Sequence, residues 1–252
     1  MSKQALTISL LLAVGACSHN EQPLAASDLS IIESLCLTPP SGNNIDYMLW
    51  GKYEVSNNEF YSNPNVELAN IPVVMVDFYQ SQQWCEQRGL RLPSKEEWMM
   101  VVDGAEMASS KAGARNDLDL DINRPLPGGV FERGRLEWGM YDIHANVREW
   151  VSIDSATHAI AIGASFASRS DVYKSLEMNK SDTAADVGFR YVADAADFIE
   201  QQVAPRWSNL NSTQQQQAHL AIGAWKKDWR TALAAKLDSS LVGKSLMRSL
   251  TQ

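Results

Sequence analysis

Histidine and cysteine are scarce in this chain of 252 residues, which has four of the former and three of the latter. No two cysteines are closely spaced, and the histidines lie too far apart in sequence for a metal site of ordinary ligand spacing. The chain also lacks the Gly-x-Ser-x-Gly turn of serine hydrolases and a glycine-rich phosphate-binding loop. These absences remove the commonest sequence signatures of zinc, serine-nucleophile and nucleotide chemistry. The histidines are His19, His144, His158 and His219.

A long hydrophobic run is missing too, since the apolar segment at residues 5–16 is too short to span a bilayer. It follows Lys3 and ends in small residues, which is the order of an export signal. Val14-Gly15-Ala16-Cys17 resembles a bacterial lipobox, which implies a signal peptide at residues 1–16 and lipid on Cys17. Ser18 after the cysteine implies export to the outer membrane, with the protein held by its N-terminal lipid. An ordinary cleaved signal is the alternative.

Residues 17–46 are rich in serine, asparagine and proline, and they predict a tether and an irregular entry segment. Two cysteines remain beyond the lipidation site, Cys36 and Cys85. Thiols in an oxidising compartment are usually paired, so we predict a disulfide between them. The alternative is that both are buried, unpaired and apolar in behaviour.

The middle of the chain contains short apolar segments and two helical patterns. We predict strands at residues 47–50 and 72–77, a helix at residues 78–88, and a second helix with Ser94 as its N-cap. Shorter strand-like segments follow at residues 159–162 and 189–192. Residues 103–138 have little periodicity, which in a compact domain indicates a segment fixed by other means.

The end of the chain is basic, although the protein as a whole carries a net charge of −8. From Arg206 onward seven lysines and arginines stand against two acidic residues, while residues 17–205 carry a net −14. Residues 194–252 predict a helical extension: a helix over 194–203 that stops before Pro205, then a longer one capped by Ser212 with one apolar stripe. The extension can pack on its own domain, bind a partner or lie on anionic lipid. Nucleic acid is not an expected partner of an acidic exported protein. The stripe comprises Ala218, Ile222, Trp225, Trp229, Leu233 and Leu237.

Several motifs in the remaining region, residues 47–193, resemble in order those of the formylglycine-generating enzyme (sulfatase-modifying factor) family. The resemblance implies an α+β, C-type-lectin-like fold with short strands, two main helices and much irregular structure. The motifs are Tyr53-Glu54-Val55-Ser56-Asn57, Ile71-Pro72-Val73-Val74-Met75-Val76 with Trp84-Cys85, Arg91-Leu92-Pro93-Ser94-Lys95-Glu96-Glu97-Trp98, Gly139-Met140-Tyr141-Asp142-Ile143-His144-Ala145-Asn146-Val147-Arg148-Glu149-Trp150, Gly163-Ala164-Ser165-Phe166 and Gly188-Phe189-Arg190.

The resemblance also implies two sites. In active family members two copper-binding cysteines follow the Gly-Gly-Ser segment, and alignment on Ser165 puts Ser168 and Tyr173 at their places. A hydroxyl cannot replace a thiolate toward soft Cu(I), so we expect neither copper nor the family's reaction, and no catalytic residue is assigned. A structural calcium site is implied at Asp142 and Glu149, with two backbone carbonyls between them. Those carbonyls belong to Ala145 and Val147.

These observations predict a catalytically silent lipoprotein of the outer membrane that binds an envelope protein or peptide. The candidate binding groove follows the former cysteine region and comprises Ser165, Phe166, Ser168, Arg169 and Tyr173. Two alternatives stay open: an enzyme that modifies an exported protein or peptide by non-cysteine chemistry, and a lectin-like lipoprotein that displays a ligand-binding surface.

Overall fold

The computed structural model describes residues 30–41, 45–108, 124–168, 175–237 and Leu246. Cys17, Arg169 and Tyr173 therefore lie outside the described residues. Within the described ranges the chain forms seven short strands and six α-helices. The strands are β1 (Leu35–Thr38), β2 (Met48–Gly51), β3 (Arg148–Val151), β4 (His158–Ile162), β5 (Leu176–Asn179), β6 (Val187–Gly188) and β7 (Val192–Asp194). The helices are α1 (Asn57–Phe60), α2 (Phe78–Glu86), α3 (Lys95–Ala108), α4 (Ala195–Phe198), α5 (Ser212–Gly223) and α6 (Lys227–Lys236).

The strands form two small sheets. One is antiparallel with the order β1-β2-β7, and the other has the order β5-β4-β3-β6, in which β3 and β6 run parallel. Single-turn 3₁₀ and π segments connect the elements at Ser30–Ser34, Val66–Leu68, Glu132–Gly134, Ile199–Val203 and Ala204–Asn209. The predicted α+β class is confirmed.

Both predicted helices of the central region form where their capping residues place them. Asp77 caps α2 through a reciprocal pair of hydrogen bonds with Gln80. The Ser94 hydroxyl accepts a hydrogen bond from Glu97 N at 3.1 Å, and the Glu97 carboxylate accepts one from Ser94 N at 2.8 Å. Such capping boxes satisfy backbone donors that the first helical turn leaves unpaired.

The strand predicted at residues 72–77 does not form. This segment makes one isolated bridge, from Pro72 to Ser56, and Met75 has a left-handed φ of 59°. Val73 and Val76 are nevertheless buried, because they pack into the core without a neighbouring strand. The segment predicted at residues 189–192 is likewise not one strand, since β6 ends before it and β7 begins only at its last residue.

Two buried clusters make up the core. One lies around Trp84, Trp150 and Phe189, and the other lies around Trp50 and Trp98. Burial of an aromatic side chain of this size removes some 150–250 Å² from water, so these rings dominate the stability of the fold.

The predicted Cys36–Cys85 disulfide is wrong, because both residues are free and buried. Cys36 lies on β1 within the cluster around Trp50, and its thiol donates to Trp50 O at 3.5 Å. Cys85 lies on α2 within the other cluster. Each thiol therefore packs as a small apolar group.

The C-terminal extension packs on its own domain. Ala218, Ile222 and Trp225 are buried in the cluster around Trp84, and Trp225 Nε1 donates to Leu35 O at 3.3 Å. Two of its lysines pair with acidic residues of the domain: Lys236 with Asp46 at 2.5 Å and Lys226 with Glu137 at 3.1 Å. Charge complementarity within the chain therefore accounts for part of the extension's basic character.

The extension differs from the prediction at both of its helices. The first was predicted to stop before Pro205, but helical turns continue beyond Ala195–Phe198 through a π segment, Ile199–Val203, and a 3₁₀ segment, Ala204–Asn209, which contains Pro205. The single longer helix is divided into α5 and α6, and Asn211, one residue before the predicted Ser212, is the N-cap. Across the described ranges no helix is both long and apolar enough to cross a membrane.

Candidate functional site

A polar network surrounds Ser168, which the sequence alignment on Ser165 predicts to stand at the place of the first family cysteine. The Ser168 hydroxyl accepts hydrogen bonds from Arg148 Nη2 at 3.0 Å and from Ser165 N at 3.0 Å. Ser165 Oγ donates to Asp186 Oδ2 at 2.6 Å, and Arg148 Nη1 forms an ion pair with the same carboxylate oxygen. We call Arg148, Ser165, Ser168 and Asp186 the serine network.

Sheet pairing positions the charged pair of the network. Arg148 opens β3 and lies opposite Val187 of β6, and Arg148 N donates to Asp186 O at 2.9 Å. Both charged side chains are 15% exposed. The same Asp186 oxygen is thus engaged both by the Arg148 guanidinium and by Ser165 Oγ.

Three of the five predicted groove residues are described, and the network includes two of them. Ser165 is buried, whereas Phe166 and Ser168 are half-buried at the turn after β4. Phe166 N donates to Asn146 O at 2.9 Å, so the turn is joined to the loop before β3.

A second cluster of polar residues is fully enclosed. Arg190 is 0% exposed and donates to Glu149 Oε1 at 3.0 Å, Gly51 O at 2.8 Å and Tyr141 O at 2.9 Å. Trp98 Nε1 donates to the other oxygen of Glu149 at 2.8 Å. We call this group, with the buried side chains of Glu54, Asp142 and Asn146 beside it, the acid–arginine cluster.

Negative charge exceeds positive charge in the acid–arginine cluster. Burial, together with the charge of Asp142, raises the pKa of Glu54 well above its usual range. Burial also raises the pKa of Asp142. Burial alone would lower the pKa of Arg190, but the charges of Glu149 and Glu54 outweigh that effect and raise it. Glu54 Oε1 has no hydrogen-bond partner. Three carboxylates thus share one guanidinium.

The structure places the four predicted calcium ligands in one buried loop and strand. Asp142 and Glu149 are 3% and 1% exposed, and Ala145 and Val147 are buried between them. Asp142 (φ 61°) and Asn146 (φ 68°) are the residues of this loop with a left-handed backbone conformation. Ala145 is not one of them, so an alanine side chain causes no such backbone strain at that position.

The donor set is of the type that hard cations take, although both oxygens of Glu149 already accept hydrogen bonds, from Arg190 and from Trp98. Its two carboxylates lie in a site with excess negative charge, beside the unpartnered oxygen of Glu54. Within the part of the chain that is described, no group of three or more histidine, cysteine, aspartate or glutamate side chains could hold a metal ion. The predicted site has two such side chains, and the other two ligands would be carbonyls.

Neither described cysteine can supply a reactive thiolate. Burial raises the pKa of Cys36 to about 12, and it raises the pKa of Cys85 as well. Since the thiolate is both the nucleophile and the metal ligand, these residues are inert at neutral pH.

Sequence comparison agrees with this architecture. Residues 50–195 match the family model of the sulfatase-modifying factor enzyme 1-like domain, which is more than half of the chain. The chain belongs to this family. None of the curated proteins matches it significantly in sequence.

One solved structure shows the same fold at low sequence identity, and two others match with lower scores. The family domain is similar to Treponema denticola variable protein 1, with a TM-score of 0.51, 15% identity, and coverage of 64% of this chain and 94% of that one. CarF matches with a TM-score of 0.49 and 13% identity over 64% of this chain and 93% of its own. PvdO from Pseudomonas aeruginosa matches with a TM-score of 0.47 and 16% identity over 64% and 90%.

Sequence reasoning missed the partners that complete both clusters. Arg190 is the end of a motif in the sequence, and no spacing in the sequence pairs it with Glu54 or pairs Arg148 with Asp186. A usable signal existed for Arg190, because an arginine between Phe189 and Tyr191 in a buried segment needs acidic partners.

Proposed function

We propose that this family member is catalytically silent toward the family's copper-dependent reaction and binds a protein or peptide of the cell envelope. The observation that supports the proposal is the serine network: Arg148 and Ser165 hold the hydroxyl of Ser168, the residue that alignment on Ser165 puts at the place of the first copper-binding sulfur. Oxygen donors of this type do not hold Cu(I).

Hydrolytic or transfer chemistry at the same place is less well supported. A serine nucleophile needs an adjacent base, and the carboxylate of the network is already paired with Arg148. The most perturbed carboxylate, Glu54, is 2% exposed, so it has no open face toward a substrate. Binding therefore uses what the groove offers: a half-buried aromatic ring and hydroxyl groups at a turn.

We further propose that the protein is a lipoprotein of the outer membrane, held by lipid on Cys17. The support is the apolar run that ends in Val-Gly-Ala before this cysteine, followed by serine. Metabolic labelling with a fatty acid tests this proposal. The wild type is expected to carry label and to fractionate with outer membranes, whereas Cys17→Ser is expected to do neither.

Calcium, held by Asp142, Glu149 and the carbonyls of Ala145 and Val147, is the cofactor we propose. A divalent cation would offset the excess negative charge in the acid–arginine cluster and stabilise the loop before β3. Calcium is expected to raise the melting temperature, and a chelator is expected to reverse the effect. An unchanged melting temperature would remove calcium from the proposal.

Copper binding tests silence directly. The wild-type protein is expected not to bind Cu(I) and not to convert the cysteine of a peptide into formylglycine. The variant with both Ser168→Cys and Tyr173→Cys supplies sulfur at both places and is the matched positive control for Cu(I) binding. Formation of formylglycine by the wild type would overturn the proposal.

Site-specific photo-crosslinking in cells tests the binding role. A crosslinking amino acid in place of Phe166 is expected to capture an envelope protein or peptide. The same group in place of Val130, which is 54% exposed, is the control and is expected to capture none. Equal capture at both positions would show that the groove is not a specific binding site.

A further inference from the structure

Residues 124–129, Arg-Pro-Leu-Pro-Gly-Gly, cross over the acid–arginine cluster without forming a helix or strand. We call this segment the strap. Asn146 holds its centre: Leu126 N donates to Asn146 Oδ1 at 2.9 Å, and Asn146 Nδ2 donates to Leu126 O at 3.2 Å. Gly129 N donates to Asp142 Oδ2 at 2.6 Å. The side chains of the cluster thus bind the strap backbone as they would bind an extended peptide.

The two residues that hold the strap share an unusual backbone conformation. Asp142 and Asn146 both have left-handed φ values, 61° and 68°. Aspartate and asparagine tolerate this region better than other residues that carry a side chain. The loop therefore points two polar side chains at the strap, at a conformational cost that the hydrogen bonds offset.

The strap is packed closely but buries little apolar surface. A Cβ atom on Gly128 would lie 3.0 Å from the Tyr53 side chain, and one on Gly129 would lie 2.7 Å from it. Leu126 is the one buried side chain of the strap. Because Pro125 and Pro127 have no N–H group, they cannot add backbone donors. A described segment with one buried side chain opens more readily than the core, where most side chains are buried.

In the closed arrangement one buried oxygen of the acid–arginine cluster has no hydrogen-bond partner. Asn146 Nδ2, which holds Leu126, also donates to Glu54 Oε2 at 3.4 Å, while Glu54 Oε1 has no partner. An unpartnered buried carboxylate oxygen is unfavourable, and contact with water would relieve it. Opening the strap therefore loses hydrogen bonds at Asn146 and Asp142 but gains hydration of the carboxylates.

We infer that the strap is a displaceable cover, which opens without unfolding of the domain and controls the access of water and small solutes to the acid–arginine cluster. The inference does not depend on the proposed lack of copper chemistry, on the proposed lipid at Cys17 or on calcium binding. It makes residues 124–129 a local switch: closed, the cluster is sealed, and open, its carboxylates meet solvent.

Native-state hydrogen exchange of the full chain, in a chelating buffer, tests the inference. The amides of Leu126 and Gly129 and the indole N–H of Trp98, which donates to Glu149, are expected to exchange through the same local opening. The indole N–H of Trp150, which donates to Val76 O at 3.0 Å, is the matched control and is expected to require global unfolding. Local opening is recognised by exchange that is insensitive to low denaturant concentrations.

Asn146→Gly removes the holding side chain and retains freedom at a left-handed φ. Exchange at Leu126, Gly129 and Trp98 is expected to accelerate roughly tenfold to a hundredfold, and Trp150 is expected to follow only the global stability. Asn57→Gly is the control, since the side-chain amide of Asn57 donates to Ile71 O at 2.8 Å, a contact that does not involve the strap. It is expected to leave the strap unchanged.

Gly128→Ala is a second perturbation, which pushes the strap from Tyr53 without touching Asn146. It tests the inference independently should Asn146→Gly not fold, and Gly223→Ala, with nothing within 4 Å of the new Cβ, is its control. Faster exchange at Leu126, Gly129 and Trp98 supports the inference. The inference is overturned if Trp98 exchanges together with Trp150, or if the strap amides exchange only on global unfolding.

Discussion

Replacement of Arg190 by methionine is the sharpest test of the acid–arginine cluster. Methionine retains a long, flexible apolar side chain, so the change removes the charge and the donors while much of the volume stays. The Glu149 carboxylate loses its ion pair at 2.9 Å, and the carbonyls of Gly51 and Tyr141 lose their donors.

The expected cost can be worked from these contacts. Removal of one partner of a fully buried ion pair costs about 3–5 kcal/mol, because the other charge stays buried and unpaired. Each orphaned carbonyl adds about 1–3 kcal/mol unless water reaches it. Arg190→Met is therefore expected to lower the free energy of unfolding by at least about 4 kcal/mol. Against a typical total of about 5–15 kcal/mol, that loss brings the domain close to unfolding.

Urea denaturation followed by tryptophan fluorescence measures this loss. The control is Arg206→Met, since Arg206 is half-buried and bonds to Gln202 within its own turn. It is expected to cost less than about 1 kcal/mol. Adding Glu149→Gln to Arg190→Met removes the stranded charge, so the double variant should be less destabilised than the sum of the single changes. A loss below about 1 kcal/mol for Arg190→Met alone would refute the account of the cluster.

Three further predictions concern other contacts. The pKa of Glu54 is raised in the folded state, so the stability it contributes is fully present below the unfolded pKa of about 4.3 and is lost as pH rises through the folded pKa. Glu54→Gln is expected to reduce this loss in the free energy of unfolding, measured by urea denaturation in the presence of a chelator. The pKa of Glu97 is lowered overall: burial raises it, but the two hydrogen bonds from Arg91, both at 2.7 Å, outweigh that effect together with the other bonds to the carboxylate. Its stabilisation is therefore present above about pH 4.3 and lost as pH falls through the folded pKa, and Glu97→Gln should make the acid limb shallower. Trp225→Ala is expected to cost about 3–5 kcal/mol in the same assay.

Matched variants make these predictions decisive. Glu67→Gln, at an exposed position, is the control for Glu54→Gln, and an equal effect of the two changes would contradict the role of burial. If Glu97→Gln leaves the loss of the free energy of unfolding at low pH unchanged, the Arg91–Glu97 pair does not cause that loss. Trp225→Phe keeps most of the apolar volume and loses the bond to Leu35 O, so it should cost much less than Trp225→Ala. A cost below about 1 kcal/mol for Trp225→Ala would show that the extension is not part of the core.

Local signals in the sequence predicted the local parts of the fold. Asp77 and Ser94 act within three residues of themselves, so both helix starts could be predicted from spacing alone. The apolar stripe of the extension correctly predicted burial of Trp225 and Leu233 but not the break between α5 and α6. Periodicity reports which residues face a core, and two consecutive helices can face the same core.

The strand predicted at residues 72–77 failed for a related reason. An apolar run indicates burial, and sheet pairing is only one way to bury it. Here Met75 N donates to Ala184 O at 3.1 Å and Val73 N to Val55 O at 2.8 Å, so the backbone partners lie in two separate segments. The free cysteines show the same limit, since compartment and count predict pairing only when the fold brings the two thiols together.

The two polar groups of this domain have separate physical roles, and that separation would let the family scaffold persist without the family's chemistry. In the acid–arginine cluster one buried guanidinium, that of Arg190, bonds to Gly51, Tyr141 and Glu149. None of these three contacts involves a cysteine. The serine network bonds its own members together through Arg148 and Asp186. A hydroxyl in place of sulfur at position 168 would therefore change which metals and reactions the site supports, while the contacts that determine the fold would stay intact. Stability and chemistry should then respond to different substitutions: those at Arg190 should lower the free energy of unfolding, and those at Ser168 should alter ligand preference with little change in that free energy.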